Sequence, residues 1–219
     1  MNDATGAGRA RSAGDADTGG YPIPARSRRV EETLQRSRFV TCVAHAPDSG
    51  AAHRFVQSLR DEFPDATHHC WAFVAGKPGS TASIGMSDDG EPHGTAGRPM
   101  LTTLLHSGIG EIVAVCVRYY GGTKLGTGGL SRAYSGGVKR ALSGLELEQR
   151  VDRALGVVEV SYAHLDGLQR LLDEVDALLR AESYGASVRY EVAVPEAAWA
   201  RFQRAVADLT SGEGSIRRL

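Results

Sequence analysis

The feature that most constrains this chain is Glu111–Val117 (EIVAVCV), an almost unbroken apolar run, with five glycines following within Gly121–Gly129 and a helical pattern after them. A strand of that composition is apolar towards both faces, which predicts a central strand covered on each side. The glycines permit backbone conformations that a Cβ would forbid. The helical pattern, expected over Leu130–Leu142, carries small residues at Ala133, Ser135, Gly136 and Gly137, so something must approach it closely. Strand, glycine turn and helix N-terminus together are either an element suited to an anion, because free backbone N–H groups and the helix dipole converge there, or a tight turn that lets strand and helix pack.

The rest of the chain organises around this element. Its 219 residues suit two small domains rather than one. Residues 1–20 are Gly, Ala, Asp, Arg, Ser and Thr around a few others, with no apolar stretch, and read as a disordered tail rather than a secretory signal. Strands are expected at Arg26–Leu34, Arg38–His45, Thr67–Ala75 and Thr81–Met86. A helix capped by Asp48 should run through Phe55, Val56 and Leu59 and stop before Pro64, and another should start at Pro99 and close at Gly108. After Arg150 the pattern becomes strand, helix, two strands, helix, strand, with an amphipathic helix through Leu168, Leu171, Leu172 and Val175 and another through Trp199, Phe202 and Val206. That order is the ferredoxin-like βαββαβ unit. The expected class is α+β, with domains at 21–148 and 149–219.

Composition excludes several functions. The net charge is −1, so there is no global pull towards nucleic acid or an anionic membrane. No apolar run approaches the ~18 residues of a membrane span. Cys42, Cys70 and Cys116 are an odd set without CxxC spacing, which points to reduced core residues and a cytoplasmic protein rather than a disulfide framework or zinc site. Charge is nevertheless uneven. Residues 1–150 carry a net +2 and residues 151–219 a net −3, and Ile112–Leu145 contains Arg118, Lys124, Arg132, Lys139 and Arg140 with no acid.

Two loops could carry chemistry. The basic one, Arg118 to Tyr134, holds Tyr119, Gly121, Gly122, Lys124, Gly126, Gly128, Gly129 and Arg132. Lys124 is followed by Leu125, so this is not a Walker loop, and it lacks a dinucleotide GxGxxG in the right place. The acidic one, Ser87–Gly97, holds Asp88, Asp89, Gly90, Glu91, His93, Gly94, Thr95 and Gly97. It does not follow the alternate spacing of an EF-hand, and its adjacent carboxylates should diverge and accept backbone N–H groups rather than share a metal. His68 and His69 fall on one strand and must face opposite sides, so only one of them could serve any given site. No metal or cofactor is expected.

The segment SDDGEPHGTAGRPML, followed further along by VAVCVRYYGGTKLGTGGLSRAY, is similar to the signature of the YigZ/IMPACT family. QRSRFVTCVA and FPDATHHCWAF resemble its upstream segments, and the residues after Arg150 look like the C-terminal domain of its bacterial members. The resemblance implies a first domain with a β-α fold shared with a ribosomal-protein domain and GHMP kinases, and a second similar to the last domain of elongation factor G. It implies a link to translation, since eukaryotic relatives, which carry a different N-terminal partner domain, are translational regulators. His93 stands where a Ser is expected, Arg98 where Lys is frequent, and Thr123 and Ser131 where apolar residues are frequent, so a catalytic Ser at position 93 is impossible here. The leading expectation is a non-enzymatic protein that binds RNA, the ribosome or a translation-associated protein through the two loops, without DNA sequence specificity. The alternatives are a nucleotide- or phosphate-binding enzyme using Mg²⁺ on the acidic loop with Lys124 or Arg132 on the phosphate, and a hydrolase with His68 or His69 as base.

Overall fold

The computed structural model describes residues 19–219; the expected disordered tail lies almost wholly outside them. The described chain is α+β and forms two compact units, Tyr21–Arg150 and Val151–Leu219. Among its residues no helix is long and apolar enough to cross a membrane.

The first unit runs β1 (Tyr21–Pro24), β2 (Arg28–Leu34), β3 (Ser37–His45), α1 (Ser49–Glu62), β4 (His68–Val74), β5 (Ile84–Ser87), α2 (Gly97–Leu105), β6 (Ile112–Tyr119), α3 (Gly126–Leu142) and β7 (Leu147–Arg150). Five strands pair antiparallel in the order β2-β3-β6-β4-β5, so the apolar run becomes the middle strand. Alternation along the strands sends Cys70, Ala72, Ala114 and Cys116 to the face covered by α2 and α3, with Met100, Leu104, Leu130 and Val138. Val40, Cys42, Val113 and Val115 go to the other face, under Val56 and Leu59 of α1. Asp48 caps α1 by accepting from the Ala51 N–H at 2.7 Å. The three cysteines are free and buried, and burial pushes the thiols up, to about 12 for Cys116.

Three expectations need correction. The helix expected at Leu130 begins at Gly126, so Gly126, Gly128 and Gly129 form its first turn rather than a loop. Glycine is a poor helix former, but packing overrides propensity: a Cβ on Gly137 would stand 2.4 Å from Thr41 Oγ1 of β3, so α3 lies close upon the sheet. Glu111, expected to open the central strand, precedes it in a left-handed conformation at φ 48°. Its carboxylate is buried and accepts from Tyr21 Oη at 2.8 Å and pairs with His45 Nε2 at 2.6 Å, with Arg150 Nε 3.5 Å away. Finally, β7 crosses the expected boundary at 148/149, because it pairs with β1 in a two-stranded ribbon.

The second unit runs β8 (Arg153–Val160), α4 (Leu165–Glu174), β9 (Leu178–Tyr184), β10 (Val188–Pro195), α5 (Trp199–Leu209) and β11 (Ser215–Arg218). The sheet order β11-β8-β10-β9, antiparallel throughout, is the split βαβ arrangement expected from the periodicity. Val158, Tyr190 and Val192 meet Leu168, Leu172, Phe202 and Val206 in its core.

Candidate functional site

The acidic loop is a scaffold for the start of α2. Asp88 turns its carboxylate onto the backbone, accepting from the N–H groups of Gly94, Ala96 and Gly97 at 2.7, 2.9 and 2.8 Å. Partial burial would raise its pKa, but these three donors hold it below the ordinary carboxylate value. Gly97 must be glycine, since a Cβ would lie 2.9 Å from the Ser87 backbone. Asp89 points the other way. It accepts from Arg60 Nη2 at 2.8 Å and from the His69 N–H at 2.7 Å, and so continues the pairing of β4 beyond the end of β5. The two aspartates therefore diverge. Thr95 is buried with its hydroxyl donating to the Pro92 carbonyl at 2.6 Å, and His93 is fully exposed.

Glu91 turns inward to the other loop. Its Oε1 accepts from Arg118 Nη1 at 2.5 Å and from Tyr134 Oη at 2.6 Å, and all three residues are buried. Arg118 Nη2 donates to Ser37 Oγ at 3.2 Å, while its Nε finds no partner. The guanidinium lies between the rings of Phe39 and Tyr120, at 5.2 and 5.4 Å from their centroids. In the sheet, Phe39 and His68 stand opposite Arg118 on either side, so β3, β6 and β4 bring these side chains into one row.

A cavity of about 470 Å³ opens above this row. His68, Glu91, Arg118, Tyr120, Lys124 and Thr127 are among its lining residues, and Gly126, at the start of α3, forms part of its rim. Lys124 is exposed and makes no ion pair or hydrogen bond among the described residues. Tyr120 is half-exposed and offers a ring. The His68 Nδ1 shares a 2.8 Å hydrogen bond with the Asp89 carbonyl, which can only accept, so Nδ1 carries the proton and Nε2, 4.0 Å from Glu91, is the free nitrogen.

The structure thus brings Glu91, Arg118, Lys124, Gly126 and His68 together and leaves others apart. Asp88, Asp89, Gly94, Thr95 and Gly97 frame the loop. Tyr119 packs beneath Arg38, 5.5 Å from ring centroid to guanidinium. Gly129 and Arg132 line a neighbouring cavity. His69 faces α1, and burial and the charge of Arg60 lower its pKa. Arg118 does not offer a free charge, because Glu91 neutralises it. Nothing in the sequence marks Ser37 or Phe39, whereas Tyr120, an aromatic between the central strand and the glycines, is marked by its place.

The Impact N-terminal domain model matches residues 35–142, which contain both loops. A domain of unknown function (DUF1949) matches residues 158–213. The chain is 47% identical to the IMPACT family member YigZ of Escherichia coli over 87% of its own length and 93% of that protein's. The chain belongs to the IMPACT family. A family member from Haemophilus influenzae is 40% identical, covering 91% of this chain and 97% of its own. A crystal structure described as that of a hypothetical protein aligns with a TM-score of 0.65 at 44% identity, over 91% of this chain and 97% of that one. The YigZ/IMPACT resemblance and the two-domain α+β architecture read from the sequence are thereby established.

Proposed function

We propose that this IMPACT family member is a non-enzymatic cytoplasmic protein that binds RNA at the 470 Å³ cavity, in the service of translation or its stress regulation. The observation that carries this is the state of its charges. Glu91, the single acid among the lining residues, is paired through Oε1 with Arg118 and Tyr134, so its charge is met by Arg118, whereas Lys124 is uncommitted. A phosphate at the start of α3 would meet that cation, and a base could stack on Tyr120, which is the combination used for single-stranded nucleic acid. Cys70 and Cys116 offer no nucleophile, since burial raises both thiols. The test is RNA binding followed by anisotropy as salt is raised. Binding at about 50 mM salt that weakens steeply by about 200 mM is expected. No binding at the lower salt overturns the reading, and co-sedimentation with ribosomes that survives removal of accessible RNA would favour a protein partner instead.

His68 favours a second reading. Its Nε2 is free and its tautomer is fixed, as in a general base, and it could serve a phosphate-transfer enzyme or a hydrolase. Incubation with ATP or GTP and Mg²⁺ separates the readings, since a mononucleotide could also bind under the first: release or transfer of phosphate supports the enzyme, and its absence ends the phosphate-transfer version.

A further inference from the structure

The cavity that would take a base and phosphate is continued by another. A second cavity, of about 390 Å³, lies on the far side of Leu125, and that side chain lines both. Its wall includes Gln35, Gly129, Arg132 and Arg140. Glu32 lines it too, but its carboxylate pairs with Arg140. Arg132 is exposed and has no ion pair among the described residues, so it is the uncommitted charge here, as Lys124 is in the first cavity.

The wall opposite α3 is the connection between β2 and β3. Leu34 pairs with Ser37, so Gln35 and Arg36 alone make the turn, at φ 44° and 67°. Two-residue hairpin turns of this kind ordinarily use Asn-Gly or Asp-Gly. Gln and Arg adopt these angles less readily, and here both side chains are exposed. The turn is also fixed against the glycine loop, because a Cβ on Gly121 would stand 2.0 Å from the Arg36 carbonyl oxygen. Gln35 and Arg132 in the second cavity and Lys124 in the first therefore lie on either side of Leu125, which lines both.

We infer that the ligand is a single-stranded RNA of at least two nucleotides, which crosses Leu125 from the first cavity into the second. Arg132 takes a phosphate there, and the Gln35 amide contacts the sugar–phosphate backbone. This rests on the RNA-binding reading above and adds the length and path of the ligand. A mononucleotide would fill the first cavity and leave the second charge unused.

The experiment compares uridine monophosphate with oligouridylates of two, four and eight nucleotides on the full chain. Wild-type affinity should rise when the second nucleotide is added. Arg132→Ala should abolish that rise, leave monophosphate binding unchanged, and reduce the slope of log affinity against log salt for the longer strands by about 1. Replacing the turn by Asn-Gly (Gln35→Asn with Arg36→Gly) should weaken the longer strands without lowering the unfolding midpoint, since that turn suits the angles better. If Arg132→Ala binds every length as wild type does, or weakens all lengths equally, the two-cavity path is wrong while RNA binding stands. If wild type binds no oligouridylate at all, both inferences fall.

Discussion

The two ends of β6 each bury a charge, and they use it differently. Glu111, just before the strand, is met by Tyr21 from β1, His45 from β3 and Arg150 from β7, and both of its oxygens are engaged. Every partner belongs to an element that the cluster fastens. Arg118, near the other end, is equally buried and is met by Glu91, Ser37 and two aromatic rings, yet it lines a cavity with an uncommitted Lys124 nearby. A buried charge is therefore not a site in itself. What distinguishes the Arg118 end is open volume beside groups whose bonding is not already taken up.

The largest expected effect tests whether the Arg118 end is a structural core as well as a wall. Glu91→Leu leaves Arg118 charged, buried and unpaired, and should destabilise by about 3–5 kcal/mol in urea unfolding. A loss below about 1 kcal/mol would mean that water reaches the guanidinium and that the burial argument fails.

Glu111→Gln should lose about 1.5–3 kcal/mol at neutral pH, because the bonds lost are charge-assisted. Burial alone would raise the Glu111 pKa, but hydrogen bonds from His45 and Tyr21 and the charge of Arg150 hold it below the ordinary value. The unfolded chain then binds the proton more tightly than the folded one. This contribution is present above the ordinary glutamate pKa and is lost as pH falls through the depressed folded value. Unfolding followed against pH should show a shallower acid limb in the variant. An unchanged limb would remove Glu111 from the clamp.

Gly121→Ala places a Cβ against the Arg36 carbonyl and should lower stability by about 1–3 kcal/mol, while weakening RNA more than that loss alone explains. Smallest in stability is Lys124→Ala. The unfolding midpoint should not move, and the salt slope of RNA binding should fall by about 1. An unaltered slope would make the two ends of β6 alike after all.

Periodicity made the central strand, α1 with its Asp48 cap and the second unit's strand order readable in advance, because each rests on local pattern or local hydrogen bonding. The β1–β7 ribbon was not readable. Its strands are four residues each, YPIP carries two prolines and LEQR is wholly exposed, so neither alternates. The residues at Arg118–Glu91 were readable as chemistry but not as a pair, since their partnership joins a strand to a loop 27 residues away. The start of α3 was missed because three early glycines argue locally for a loop, and the close seat of Gly137 on Thr41 overrules them.

The ribbon that joins Tyr21 to Arg150 also makes the first unit a cassette. Its entry and exit sit opposite each other on one ladder, within about 5 Å. A linker of a few residues could reseal them, and new ends could be opened at Gly79, a turn residue with nothing within 4 Å of its would-be Cβ. A unit whose ends meet in this way can be spliced before, after or into another domain without rebuilding its sheet. That portability follows from two short strands that otherwise look like loop.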